Sequence, residues 1–148
     1  MRWPANGVAA LAVLCWATVG NSGEPTDQAL VTLVIEGLEE PTGRVEWAVF
    51  AKAENFPIED RKLMGGGVDA APDSVRVTLP PLAPGRYAFV AFHDANGNGK
   101  FDQGLMGVPL ESFGFSRGAR PLFSAPPFEA AALDLGPGPA TVQMRLSR

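Results

Sequence analysis

Apolar and polar residues alternate in several short runs along the chain. Across residues 29–36, ALVTLVIE, the apolar Val31, Leu33 and Ile35 share one face. Across 44–52, RVEWAVFAK, Val45, Trp47 and Val49 share a face, opposite Glu46 and Lys52. Residues 74–79 put Val75, Val77 and Leu79 on one side and Ser74, Arg76 and Thr78 on the other. Residues 141–146 repeat the pattern with Val142, Met144 and Leu146. A period of two marks a half-buried β-strand, because successive side chains leave a strand on opposite faces. Residues 86–92, RYAFVAF, are apolar on both faces, as a covered central strand requires. The segment 128–135, FEAAALDL, is a weaker strand candidate.

Turn residues separate these runs: Pro41-Thr42-Gly43, Ala71-Pro72-Asp73, Pro84-Gly85 and Gly136-Pro137-Gly138. No segment sustains an apolar stripe of period 3.6, and 58–64, IEDRKLM, offers one or two helical turns at most. The Gly65-Gly66-Gly67 run reads as a flexible loop. With no strand before it and no Lys-Ser/Thr pair after it, it is no phosphate cradle. No internal repeat is present. Five or six short strands predict an all-β chain, an antiparallel β-sandwich.

One stretch departs from this plan. Between Asp102 and Phe128 lie about 25 residues without strand alternation. They carry Phe113, Phe115 and Phe123 among Pro109, Pro121, Pro126 and Pro127. So much aromatic surface predicts an ordered loop packed over one end or edge of the sandwich.

Composition narrows the function classes. A length of 148 residues with 46% apolar side chains is enough for one domain with a real core. The net charge of −4 excludes a broad nucleic-acid surface, which needs a basic face. At the N-terminus, Arg2 precedes an apolar run, Val8 to Val19, which is too short to span a bilayer. Small residues Gly20, Ser22 and Gly23 follow it. This order predicts a signal peptide over 1–22, a single sandwich domain over 23–148, and a secreted or periplasmic location. Cys15 sits inside the apolar run behind the large Leu14, so it is read as part of the removed segment rather than a lipid-attachment site. The mature chain then has no cysteine, and its stability comes from packing, with or without a metal ion.

The sharpest chemical signal is residues 94–102, DANGNGKFD. Oxygen-bearing side chains recur at Asp94, Asn96, Asn98 and Asp102, and Gly99 holds the sixth position. Alternate loop residues can wrap one Ca²⁺, which takes six to eight oxygen ligands. The seventh residue, Lys100, would give its backbone carbonyl. The match to D-x-[DN]-x-[DN]-G stops there, because the twelfth position is Leu105 and a strand precedes the loop. This is therefore a calcium loop between strands and not an EF-hand. Glu111, in the long loop, is the candidate for a missing ligand. With two or three carboxylates, affinity is expected on the order of 10⁻⁴–10⁻³ M. The competing expectation is a plain polar turn, since Asn-Gly is itself a hairpin signal.

Two further features bear on catalysis. Residues 114–118 spell G-x-S-x-G around Ser116. A nucleophile elbow needs a strand before it and a helix after it, and its histidine should follow the serine. The one histidine, His93, precedes it and ends the central strand. A lone histidine without thiols makes a poor zinc site, so His93 is expected to orient the neighbouring loop.

Residues 80–116 as a whole resemble a bacterial secreted family of unknown function, the domain family numbered 2141. The likeness lies in Phe92-His93-Asp94, in Asn96 to Asp102, and in Gly107 to Ser116. The strand entry L-x-P-G-x-Y also resembles transthyretin-like and collagen-adhesin B-type sandwiches, which implies an Ig-like or transthyretin-like fold. The family resemblance implies no activity. It does imply that His93, the acidic loop and residues 111–116 form one feature. The leading expectation is a secreted, non-enzymatic sandwich that binds Ca²⁺ weakly and engages an envelope protein or glycan through its aromatic loop. The alternatives are a hydrolase using His93 with Ser116 or a metal-bound water, and a structural envelope module without an ion.

Overall fold

The structure, a computed structural model, describes residues 27–148. The proposed signal peptide over 1–22, with Cys15, lies outside the described residues. The described residues form eight strands, several short 3₁₀ turns and one turn of α-helix. In chain order the strands are β1 (Ala29–Glu36), β2 (Arg44–Phe50), β3 (Met64–Asp69), β4 (Ser74–Thr78), β5 (Gly85–Asp94), β6 (Phe113–Phe115), β7 (Leu133–Leu135) and β8 (Gly138–Arg145), with α1 (Phe128–Ala131) before β7.

The strands make two sheets, so the all-β sandwich expected from the alternation is what forms. The first sheet runs β4-β1-β8 and the second β3-β2-β5-β6, with β7 also paired to β5. The first sheet is mixed: β1 pairs β4 antiparallel but pairs β8 parallel, from Ala29↔Gly138 to Glu36↔Arg145. Period-two alternation tells which residues face inward but not which way a neighbour runs, so the parallel pair was not legible in it.

The main core lies between the sheets. Val31, Leu33 and Ile35 of β1, Val142 and Met144 of β8, and Leu146 just beyond it meet Val45 and Val49 of β2 and Phe89 and Ala91 of β5. Strand β5 is buried on both faces, as its sequence predicts. Its Ala88 joins a second cluster on the outer face of the sheet, with Phe50, Phe56, Phe115, Phe128 and Ala131. Segment 128–135 contributes to that cover as α1 followed by β7, not as one continuous strand.

The Gly65–Gly67 run is not a flexible loop. It lies in β3 and pairs with β2, Gly66 opposite Trp47 and Gly67 opposite Glu46. The glycines leave room that their neighbours use. A Cβ on Gly66 would come within 3.1 Å of the Trp47 ring, and one on Gly67 would collide with the Glu46 carboxylate. Side chains of β2 thus fold across the bare backbone of the edge strand.

The long segment after Asp102 is ordered, with Phe113–Phe115 adding β6 to the edge of the second sheet. Among the described residues, no helix is long and apolar enough to cross a membrane.

Candidate ion-binding loop

The loop begins where β5 runs out. Asp94, the last residue of β5, is fully buried. A buried carboxylate needs hydrogen bonds in place of water. It accepts the Asn98 N–H on Oδ1 at 3.1 Å and the Gly99 N–H on Oδ2 at 2.7 Å. These bonds draw residues 95–99 into a tight coil over the strand end. Gly99 takes φ of +73°, which is why a glycine occupies the sixth position.

The other polar side chains close the loop from outside. Asn96 Oδ1 accepts the Asn98 N–H at 3.0 Å, and Asn98 Oδ1 accepts the Lys100 N–H at 2.8 Å. Asp102 then gathers both amide groups: Asn96 Nδ2 donates to Oδ2 at 2.6 Å, and Asn98 Nδ2 donates to both oxygens at 3.0 and 3.1 Å. The Lys100 side chain is exposed, and among the described residues no ion pair holds it.

Glu111 is brought to the same place from the other side of the long loop. The Leu110 N–H donates to the Asp102 carbonyl at 3.0 Å, and Gln103 bridges to Pro109, so residues 102–110 fold back on themselves. At the base of this fold Glu111 Oε2 accepts the Asp102 N–H at 3.0 Å. Glu111 is 6% exposed, and its Oε1 is the one buried side-chain polar atom without a hydrogen-bond partner among the described residues. No ion pair among the described residues involves Asp94, Asp102 or Glu111. Three acids are therefore connected, with no Lys or Arg against them. Among the described residues no three carboxylate, His or Cys side chains themselves form a metal-holding group. The groups that lie between the acids here are the amides of Asn96 and Asn98.

His93 sits beneath the loop, 3% exposed, and its Nε2–H donates to the Thr42 carbonyl at 2.7 Å. A carbonyl can only accept, so this bond fixes the proton on Nε2. It ties the β1–β2 turn to the end of β5. Gly43, next along that turn, has φ of +73°, and a Cβ there would meet the Asp94 carbonyl oxygen. Ser112 makes a matching tie, donating to Glu39 Oε1 at 2.8 Å, while Arg148 donates to Glu39 Oε2 at 2.6 Å.

Ser116 and His93 are not brought together. Ser116 is fully buried, accepts the Phe89 N–H at 2.9 Å and donates to the Ala131 carbonyl at 2.5 Å. Phe89 lies four residues before His93 on β5, about 13 Å along a strand at roughly 3.3 Å per residue. The serine hydroxyl serves α1 and β5 as a backbone clip.

The sequence motifs located Asp94, Asn96, Asn98, Lys100, Asp102 and Glu111, and the structure gathers their segments at one end of β5. The motifs missed Thr42, Gly43 and Glu39. Their one signal was the Pro41-Thr42-Gly43 turn, which says nothing of what the turn touches. They also missed the part played by Phe101, beside Asp102, which stacks edge-on against Phe92 and Phe113 with ring centroids 5.5 and 5.4 Å apart.

Residues 33–143 match the model of the family described as an uncharacterized protein conserved in bacteria, DUF2141. The chain belongs to that family, in agreement with the resemblance carried by residues 80–116. No curated protein and no solved structure matches it.

Proposed function

We propose that this member of the DUF2141 family is an exported Ca²⁺-binding sandwich that acts by binding an envelope protein or glycan and not by catalysis. The observation that carries the ion site is Glu111. Its Oε1 is buried and has no partner among the described residues, and its Oε2 is bonded to the backbone of Asp102. A buried carboxylate oxygen without a partner is costly, and a bound cation removes that cost. The neighbouring donor set is oxygen-rich and free of thiols, which suits a hard cation. Asp94, Asp102 and Glu111 would supply carboxylate oxygens, and Lys100 its carbonyl. Asn96 and Asn98 would supply amide oxygens, each of which accepts one backbone N–H here and has a second lone pair. Export rests on the basic start and short apolar run of residues 1–22.

The bonds from Asn96 and Asn98 to Asp102 favour a second reading, an ion-free structural module whose loop closes on its own hydrogen bonds. Thermal unfolding in EDTA and across millimolar Ca²⁺ and Mg²⁺ separates the two. A weak site predicts that Ca²⁺ at ten times Kd adds about 1.4 kcal/mol, a rise in Tm on the order of 5 °C. A Tm indifferent to Ca²⁺ would leave the ion-free module standing.

A further inference from the structure

The two ends of the second sheet differ. At one end β6 is closed off, because the Phe113 N–H and carbonyl are both bonded to Ser147, at 3.1 and 3.0 Å. At the other end β3 has β2 as its one neighbour among the described strands. Backbone groups of an antiparallel pair point alternately toward the partner and away from it. The Ala70 N–H donates to the Gly43 carbonyl at 3.1 Å, in line with the register of β3 on β2. Met64, Gly66 and Val68 therefore turn their N–H and C=O groups to β2, while Gly65, Gly67 and Asp69 turn theirs outward. Edge strands are usually guarded by proline, a bulge or a charge within the strand. The register runs unbroken from Met64 to Asp69, and residues 64–68, MGGGV, carry no proline and no charge. This edge is open to another strand.

The side chains around the edge decide its occupant. On the inner face Met64 and Val68, half-buried and apolar, flank Gly66 at equal spacing. On the outer face the Lys62 stem lies over Gly65 and the Glu46 carboxylate over Gly67. Such a strand is complementary to itself. Two copies running antiparallel about a twofold axis at Gly66 set Gly65 against Gly67, whose backbone groups face outward, and Met64 against Val68. Lys62 of each copy then faces Glu46 of the other. Within its own copy Lys62 is paired with Glu59, and Glu46 with Arg44, which also holds Asp69. The new contact does not compete with these pairs but joins them. It makes one row of alternating sign, Glu59–Lys62 of one copy with Glu46–Arg44–Asp69 of the other. An axis at Gly67 would set Glu46 against Glu46, and one at Gly65 would set Lys62 against Lys62, so charge selects Gly66. We propose that the chain forms a twofold dimer in which β3 pairs antiparallel with β3 of a second copy, joining their second sheets into one. The proposal does not depend on the ion site.

Sedimentation velocity of the full chain in EDTA, from about 1 μM to about 1 mM, tests it. A reversible monomer–dimer equilibrium is expected, with Kd on the order of 10–100 μM, as suits a small interface. Lys62→Glu sets acid against acid twice in each dimer, and Glu46→Lys sets base against base twice. Each variant alone should associate about tenfold more weakly or worse. Mixed in equal amounts, the two variants should regain the parent's association to within about threefold, because every contact across the axis is again Lys against Glu. Recovery in the mixture also shows that both variants are folded. A parent that stays monomeric over the whole range would overturn the proposal. So would single variants that associate as the parent does, which would place the contact on another surface. A mixture that associates no more strongly than its parts would overturn it too.

Discussion

Glu111 accepts the backbone N–H of Asp102 on one carboxylate oxygen, and its other oxygen has no partner among the described residues. The two residues are nine apart in sequence and are joined by the fold of residues 102–110. Half-satisfied burial of an acid is a feature that loop closure alone does not require. An amide at 111 could keep the bond to Asp102 through its oxygen while removing the buried charge.

Glu111→Gln is therefore expected to be neutral or slightly stabilising in EDTA, and to lose most of any Ca²⁺-dependent rise in Tm. Paired melting curves with and without Ca²⁺ read both effects. A variant that loses stability equally in both conditions would show Glu111 acting as a structural brace alone.

Asp94 and Asp102 should separate in the same assay. Asp94 is fully buried, and both of its oxygens hold backbone N–H groups. Asp94→Asn replaces one acceptor oxygen by a donor facing an N–H, and should cost about 1–3 kcal/mol even in EDTA. Asp102 is half-buried and held by side-chain amides, so Asp102→Asn should cost under about 1 kcal/mol in EDTA. Both should abolish a Ca²⁺-dependent gain. Persistence of that gain in either variant would sink the ligand assignment.

Ser116→Ala tests the backbone clip. The substitution leaves the buried Phe89 N–H and Ala131 carbonyl without their present partner. Urea unfolding should show a loss of about 1–3 kcal/mol. A stable variant that has lost an esterase activity present in the parent would instead revive the hydrolase alternative.

How far the sequence could be read depended on whether a feature carries its own period. Val31, Leu33 and Ile35 announce β1 because burial on one face forces alternation, and the two-sided burial of β5 shows in Phe89, Ala91 and Ala88 for the same reason. Gly65–Gly67 carry no side chains and so no period, and their strand appears only once Trp47 and Glu46 are seen lying across them. The closed polar loop of residues 94–102 was legible because its acceptors are local, spaced at alternate residues. Its surroundings were not, because Thr42 and Glu39 reach it from more than 50 residues away. The phenylalanines of the long loop predicted packing, but not that Phe101 would stand edge-on against both Phe92 and Phe113.

Gly43→Ala probes how closely the neighbouring turn is fitted to the loop. Gly43 has φ of +73°, and an added Cβ would stand 2.2 Å from the Asp94 carbonyl oxygen and 2.7 Å from that of Ala95. The left-handed conformation alone costs a non-glycine residue roughly 1–2 kcal/mol. The contacts are with backbone, which cannot swing aside as a side-chain tip can, so the turn must move away from the end of β5. That movement pulls on the bond from His93 to Thr42 and on the start of the 94–102 loop together. The expected result is a stability loss of about 2–4 kcal/mol in EDTA, from the strain plus the clash, with any Ca²⁺-dependent gain reduced as well. His93→Phe removes only the hydrogen bond and should cost about 1 kcal/mol while sparing the gain. Equal effects of the two substitutions on Ca²⁺ response would mean that the turn positions the loop through His93 and not through the close backbone approach at Gly43.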